Sequence, residues 1–325
     1  MSTPTALRRL VASLPRPPRD PRLYQICVLS SILLWGAVAL DLALQPSLML
    51  VLAAAALGTQ YVAGRWVGLE RFDPRSPLIS TLSLCLLLRT QSPLLAASAA
   101  VIAIGSKFLI RRRGKHVFNP TNLALVVLLL TTDGVWFSPG RWGSAAFFAF
   151  FLAGFGMLVV YRAARSDVTW AFLAAWSAVL VGRALWLGDP LTIPLHQLQS
   201  GALLIFAFFM ISDPKTTPDS RLGRVVFAAL VAAVGGWLQL GLFIPEGLLY
   251  ALAASAPLVP VLDRLFPGER YAWSTPKSEF QSSQPQSPRP QASRPAVVPS
   301  SHPVPVSPEP APAAFAHLWP ERSSS

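Results

Sequence analysis

The chain has 325 residues and a formal net charge of +12, with 53% hydrophobic and only 13% charged residues, and its mean hydropathy is +0.48. A water-soluble domain carries roughly 25% charged residues, so half that share leaves too little polar surface and assigns the outside to lipid. The placement of the positive charge argues against a nucleic-acid partner: basic residues fall in short clusters between apolar runs, which is the footprint of membrane topology.

Residues 1–22 form a basic segment with Arg8, Arg9, Arg16, Arg19 and Arg22. It has the charge of a signal peptide's basic region, and Arg8-Arg9 faintly that of a twin-arginine signal. The apolar run that follows is too long for the core of a signal peptide, however, and no small-x-small cleavage site follows in a polar context. It reads as a first, uncleaved span.

Apolar segments long enough to cross or half cross a bilayer then fall at 24–42, 47–67, 77–92, 94–110, 119–135, 143–161, 168–187, 196–212, 222–242 and 247–265. The third, fifth and eighth are short for a crossing. Threading ten spans from an inside N-terminus puts 19 Lys and Arg residues on the inner side, against Arg89, Arg141 and Arg183 outside. Dropping any short span inverts everything after it and spoils the asymmetry. The sequence therefore predicts an all-α integral membrane protein with a ten-helix membrane domain over 23–266 and both termini in the cytoplasm.

Cys27 and Cys85 both lie inside apolar runs without CxxC spacing and read as small buried hydrophobes, with no metal site expected. Residues 274–325 hold 12 of the 31 prolines and lose apolar periodicity. That stretch reads as a disordered cytoplasmic tail, with a Pro-rich docking ligand as the alternative.

Two stretches repeat. Thr81 to Pro93 (TLSLCLLLRTQSP) aligns with Ala202 to Pro214 (ALLIFAFFMISDP), and Phe118 to Leu125 (FNPTNLAL) with Phe243 to Tyr250 (FIPEGLLY). Five spans per half is an odd number, so halves at about 23–135 and 143–265 are inverted relative to each other. Inverted repeats with short or broken helices in matching positions point to a binding site at those breaks. Chance alignment of Leu/Phe-rich helices is the competing explanation.

Asn119 and Pro120 supply an N-cap and an N1 proline to the fifth segment. Capping does not account for Asn122, whose amide needs a partner one turn into a lipid-embedded helix. Ser200-Gly201-Ala202 opens the eighth segment, and Ser212-Asp213-Pro214-Lys215-Thr216-Thr217-Pro218 closes it. Asp213 could simply cap a turn there, with the two prolines ending the helix. Pro245-Glu246-Gly247 opens the last segment, which ends in Pro257-Leu258-Val259-Pro260-Val261-Leu262-Asp263-Arg264.

Together, FNPTN, SGA…FFMISDPKTTP with Arg221-Leu222-Gly223-Arg224, and PEGLLYA…PLVPVLDR resemble the NqrB/RnfD family over about 24–265. That family comprises the NqrB component of the sodium-translocating NADH:quinone reductase and the RnfD component of the Rnf electron-transport complex. The resemblance implies ten helices in two inverted five-helix repeats, a bacterial inner-membrane location, partner membrane subunits, and electron transfer through flavin coupled to movement of Na⁺ or H⁺. It also implies FMN held by a phosphoester to the threonine of Ser-Gly-Ala-Thr. This chain reads Ser200-Gly201-Ala202-Leu203. Leucine cannot form a phosphoester, so covalent FMN is not expected.

Noncovalent FMN or riboflavin remains open, since a helix start at Ser200-Gly201 offers N–H groups to an anion. The candidate binding residues are Ser200, Gly201, Asn119, Asn122, Asp213, Thr216 and Thr217, expected around one cavity between the halves. Haem is not expected, because His116 and His196 fall at opposite faces and His302 and His317 in the tail. No Walker A or dinucleotide glycine pattern is present. Two functions stay in play: a subunit of an electron-transport complex, or a stand-alone membrane protein of the same fold, as in natural-product gene clusters, binding a small anionic or flavin-like molecule.

Overall fold

In a computed structural model, residues 20–39, 44–112, 114–138, 156–157, 159–161 and 165–271 are described. The basic stretch 1–19, most of the 143–161 segment and the 274–325 tail lie outside them. Helices α1 (Pro21–Ala39), α2 (Pro46–Trp66), α3 (Arg75–Leu87), α4 (Pro93–Leu109) and α5 (Pro120–Thr131) come first. After residues 156–157 and 159–161, which are helical, come α6 (Ser166–Leu187), α7 (Thr192–Leu198) and α8 (Gly201–Ile205), the last running on as a π-helical turn, Phe206–Met210. Then follow α9 (Arg221–Gly236) with a π turn at Trp237–Gly241, α10 (Gly247–Ser255), a 3₁₀ turn and α11 (Val259–Leu265).

Among the described residues, five stretches are long and apolar enough to cross a membrane: Pro21–Val38, Pro46–Trp66, Ser166–Leu187, Arg221–Gly241 and Gly247–Leu265. The pair α7 and α8, bent by 51°, makes a sixth if it counts as one span. Helices α3, α4 and α5 are apolar but shorter. Among the described residues the architecture is that of a predominantly helical membrane protein.

Local chemistry sets the helix starts. Pro46, Pro93 and Pro120 each occupy the first turn, where a missing N–H costs nothing. Ser92 accepts from Leu95 N, Asn119 from Asn122 N and Ser220 from Gly223 N, each satisfying an orphan donor.

Thirteen residues of α3 and 12 of α5 span only about 20 Å at 1.5 Å per residue, short of a hydrocarbon core of about 30 Å. The third segment therefore ends as a helix at Leu87 rather than at 92. Beyond it, β1 (Leu88–Arg89) pairs antiparallel with β4 (Trp136–Phe137), the strand that follows α5. Ser138 N donates to Leu87 O at 2.8 Å and Thr90 Oγ1 to Gly134 O at 2.8 Å. Extended backbone at membrane depth is tolerated because it is satisfied within the protein. A second two-residue pair, β2 (Arg111–Arg112) with β3 (Lys115–His116), forms a hairpin after α4.

Packing uses small residues where lipid gives no hydrophobic drive. The face of α2 carrying Leu52, Ala56, Gln60 and Gly64 lies along the Ala96, Ala99, Ala100 and Ala103 stripe of α4. Likewise α6 lies along α9, whose buried face includes Ala228, Ala232, Gly235 and Gly236. Helix α5 meets α10, joining the first part of the chain to the last.

A polar cavity at the basic end

The turns at one end of the bundle are tied together by charge. Arg22 and Arg75 share Asp20 and Asp73 in a four-membered network with contacts of 2.6–2.8 Å, fastening the start of α1 to the start of α3. Burial would raise both carboxyls, yet hydrogen bonds and charge from Arg22 and Arg75 hold them below the usual carboxylate range. Arg224 binds Asp167 from α9 to α6, with Nε 2.9 Å from each carboxylate oxygen. Lys115 reaches across to Asp219 at 2.8 Å, Asp263 at 3.0 Å and Thr217 O at 2.9 Å.

Behind these turns lies a cavity of about 230 Å³, lined by residues of both halves that include Arg22, Ser76, Lys107, His116, Asn119 and Asp213. Lys107 is 6% exposed and its ammonium donates to Ser76 Oγ at 2.8 Å and Ser76 O at 3.3 Å. Asn119 caps α5 through Oδ1 while its Nδ2 makes long contacts, 3.4 Å each, with Met210 O and Asp213 Oδ2. Burial raises the Asp213 carboxyl above its ordinary value; Lys215 N, which donates to it at 2.9 Å, and the charges of Lys107, Lys215 and Arg165 work the other way. His116 is pushed down to about 4 by burial and then by Lys107, Arg111 and Lys215, and its Nδ1 is buried without a partner.

The candidate residues separate into three places. Asn119 and Asp213 line the cavity. Thr216 and Thr217 shape the turn that presents Asp213: both hydroxyls donate to Asp213 O, at 3.3 and 3.1 Å. Thr217 Oγ1 also accepts from Arg165 Nε at 3.3 Å, and the Arg165 guanidinium lies 4.9 Å from the Tyr271 ring centroid. Asn122, 1% exposed, donates to Leu249 O at 3.1 Å and thereby joins α5 to α10, leaving its Oδ1 unsatisfied. Ser200 and Gly201 stand at the other end of α8, about 10 Å along the axis before Phe208, the first residue of that stretch to line the cavity. They do not line it.

Lys107 was not among the sequence candidates, although the signal is present. The buried stripe Ala96, Ala99, Ala100, Ala103 of α4 continues by one turn to position 107, which turns the lysine inward.

Residues 133–272 match a family model described as the NQR2, RnfD, RnfE family. Over those residues the chain is similar to that family. Among its relatives, three proteins named as the D subunit of an ion-translocating oxidoreductase complex illustrate the range. The protein of Alcanivorax borkumensis is 39% identical over 26% of this chain and 25% of its own length. That of Sodalis glossinidius is 29% identical over 45% of this chain and 49% of its own. That of Stutzerimonas stutzeri is 43% identical over 22% and 20%. The chain thus spans between a fifth and a half of the curated relatives it matches. Leu203, where the family's flavin threonine is expected, is 5% exposed within the apolar core. Its side chain carries no hydroxyl to which a phosphate could be esterified.

Proposed function

We propose that the chain is an RnfD/NqrB-type membrane subunit of an ion-translocating electron-transport complex in the bacterial inner membrane. It is built as ten spans in two inverted five-helix repeats and lacks covalent FMN. The observation that carries the ionic part of this reading is the cavity where Lys107, Asn119 and Asp213 converge between α4, α5 and the end of the α8 π turn. Polar and charged groups at this depth cost free energy unless they face protein, water or an ion, and π turns interrupting apolar helices occur frequently at functional sites. At about 230 Å³ the space falls below the roughly 300–1,000 Å³ of small-molecule pockets, so it suits water and a small ion rather than a flavin. The inverted repeat is supported by the matched packing of α2 on α4 and α6 on α9, and of α4 on α5 and α9 on α10.

Affinity purification in mild detergent tests this assignment. Subunits that oxidise NADH or carry iron–sulfur clusters should co-purify, and the denatured band should show no ultraviolet-excited flavin fluorescence. A fluorescent band at the chain's own mass would refute the cofactor part; purification alone, under conditions that preserve membrane complexes, would refute the assignment to a complex. The buried Leu203 favours a second reading, a stand-alone membrane protein of this fold that holds a small anion or a noncovalent FMN or riboflavin. That reading predicts purification alone.

A further inference from the structure

A second concavity, of about 490 Å³, opens at the same basic end between the β2–β3 hairpin, α11 and the segment after it. Four fixed cations line it, Arg112, Lys115, Arg264 and Arg270, against two carboxylates, Asp219 and Asp263. Both carboxylates are already held by Lys115, at 2.8 and 3.0 Å. Among the described residues, no ion pair reaches Arg112, Arg264 or Arg270. Topology alone explains why basic residues gather at this end; it does not explain three arginines converging on one concave wall whose acids are occupied.

The wall is built rather than incidental. The segment carrying Arg270 lies directly on the α9 entry turn, because a Cβ at Gly268 would fall 2.6 Å from Ser220 N and 2.8 Å from the Asp219 carbonyl carbon. Beside the cations, α11 and the residue before it present apolar surface outward: Leu258 is 44% exposed, Val261 46% and Leu265 66%. A charged cup with an apolar flank matches a molecule that carries phosphate at one end and hydrocarbon at the other.

We propose that this concavity binds the phosphate of an anionic phospholipid headgroup, with Arg112, Arg264 and Arg270 as its cationic contacts and the acyl chains along Val261 and Leu265. The site is independent of the electron-transport assignment, although His116 lines both spaces.

The test titrates phosphatidylglycerol, phosphatidylcholine and inorganic phosphate separately into the detergent-purified full chain, with lipid retention read by native mass spectrometry. Phosphatidylglycerol should bind in preference to phosphatidylcholine. Each single Arg→Gln variant should weaken that binding roughly fivefold, and Arg112→Gln/Arg264→Gln/Arg270→Gln together on the order of 100-fold. The triple Arg→Lys variant, which keeps the charge, should recover most of it. Size-exclusion profiles report folding, and the single variants carry the test if the triple one aggregates. Equal affinity for the two lipids, or unchanged binding in every Gln variant, overturns the proposal. Binding of inorganic phosphate without selectivity for phosphatidylglycerol overturns the lipid assignment and makes the cup a soluble-phosphate site.

Discussion

His116 occupies a position that neither its hairpin nor its neighbours make comfortable for a charge. It faces Lys107 from α4, Arg111 from its own hairpin and Lys215 from the α8–α9 turn, with Asp213 across the cavity. Folded, it titrates at about 4; unfolded, at about 6.5. Between those values the unfolded chain binds more protons, so stability is full above about pH 6.5 and falls as pH drops, levelling off below about 4. The loss approaches roughly 3 kcal/mol over the window. Asp213, raised by burial, works with the opposite sign, while Asp20 and Asp73 titrate below the window. The comparison with His116→Gln isolates the imidazole. Thermal midpoints in detergent at about pH 7.5 and about pH 5 should drop further for the wild type than for the variant. Identical drops would remove the buried neutral histidine from the account. At this scale the sequence is legible where chemistry is local. Asn119 reads as a cap because a cap needs only the next three residues, and it caps. The polarity of Asn122 is absorbed by a carbonyl on α10, 127 positions away, which no local pattern reports.

The helices show the same division between local and distant causes. Nine of the ten apolar segments coincide with described helices to within a few residues, because a run of apolar residues of given length is a property of the segment itself. Where α3 stops was not legible: β1 is two residues long and its partner β4 lies beyond two further helices, so neither alternation nor a turn signal betrays it. The break between α7 and α8 is similarly hidden. The start of α10 gives a test at this scale. Phe243 adopts a left-handed φ of 57° in the turn before it, and Gly247 lies against the π turn of α9, where an added Cβ would fall 2.8 Å from the Gln239 backbone nitrogen and 3.0 Å from Leu238 Cβ. Backbone cannot step aside as a side chain can. Gly247→Ala should cost roughly 1–3 kcal/mol, read as a lowered thermal midpoint in detergent. Gly235→Ala meets the terminal methyl of Leu248 at 2.6 Å, which can rotate away, and should lower it less. Equal shifts would mean that the α9–α10 contact yields as a unit.

For the whole molecule, the decisive quantity is which turns share an end. Arg22 with Asp73, Lys107 with Ser76, Lys115 with Asp219 and Asp263, and Arg165 with Thr217 bind the turns before α1, α3, α5, α6 and α9 to one another and to the end of α11. Arg89 and the Arg183–Asp189 pair lie at helix ends away from that web. The charge asymmetry drawn from the sequence and the contact web drawn from the fold are separate observations, since the first counts cations and the second records what each one touches. Both put the starts of α1, α3, α5, α6 and α9 on one side, the arrangement expected of the proposed inverted halves of five spans each. The positive-inside rule predicts that this side is the cytoplasm. Reporter fusions at Arg165 and Lys215 should therefore signal cytoplasm, and one at Asp189, in the turn between α6 and α7, the opposite side. A cytoplasmic signal at Asp189 would mean that α6 or the bent α7–α8 pair does not cross. It would also leave the halves without inverted symmetry and open the cavity between them to a different compartment.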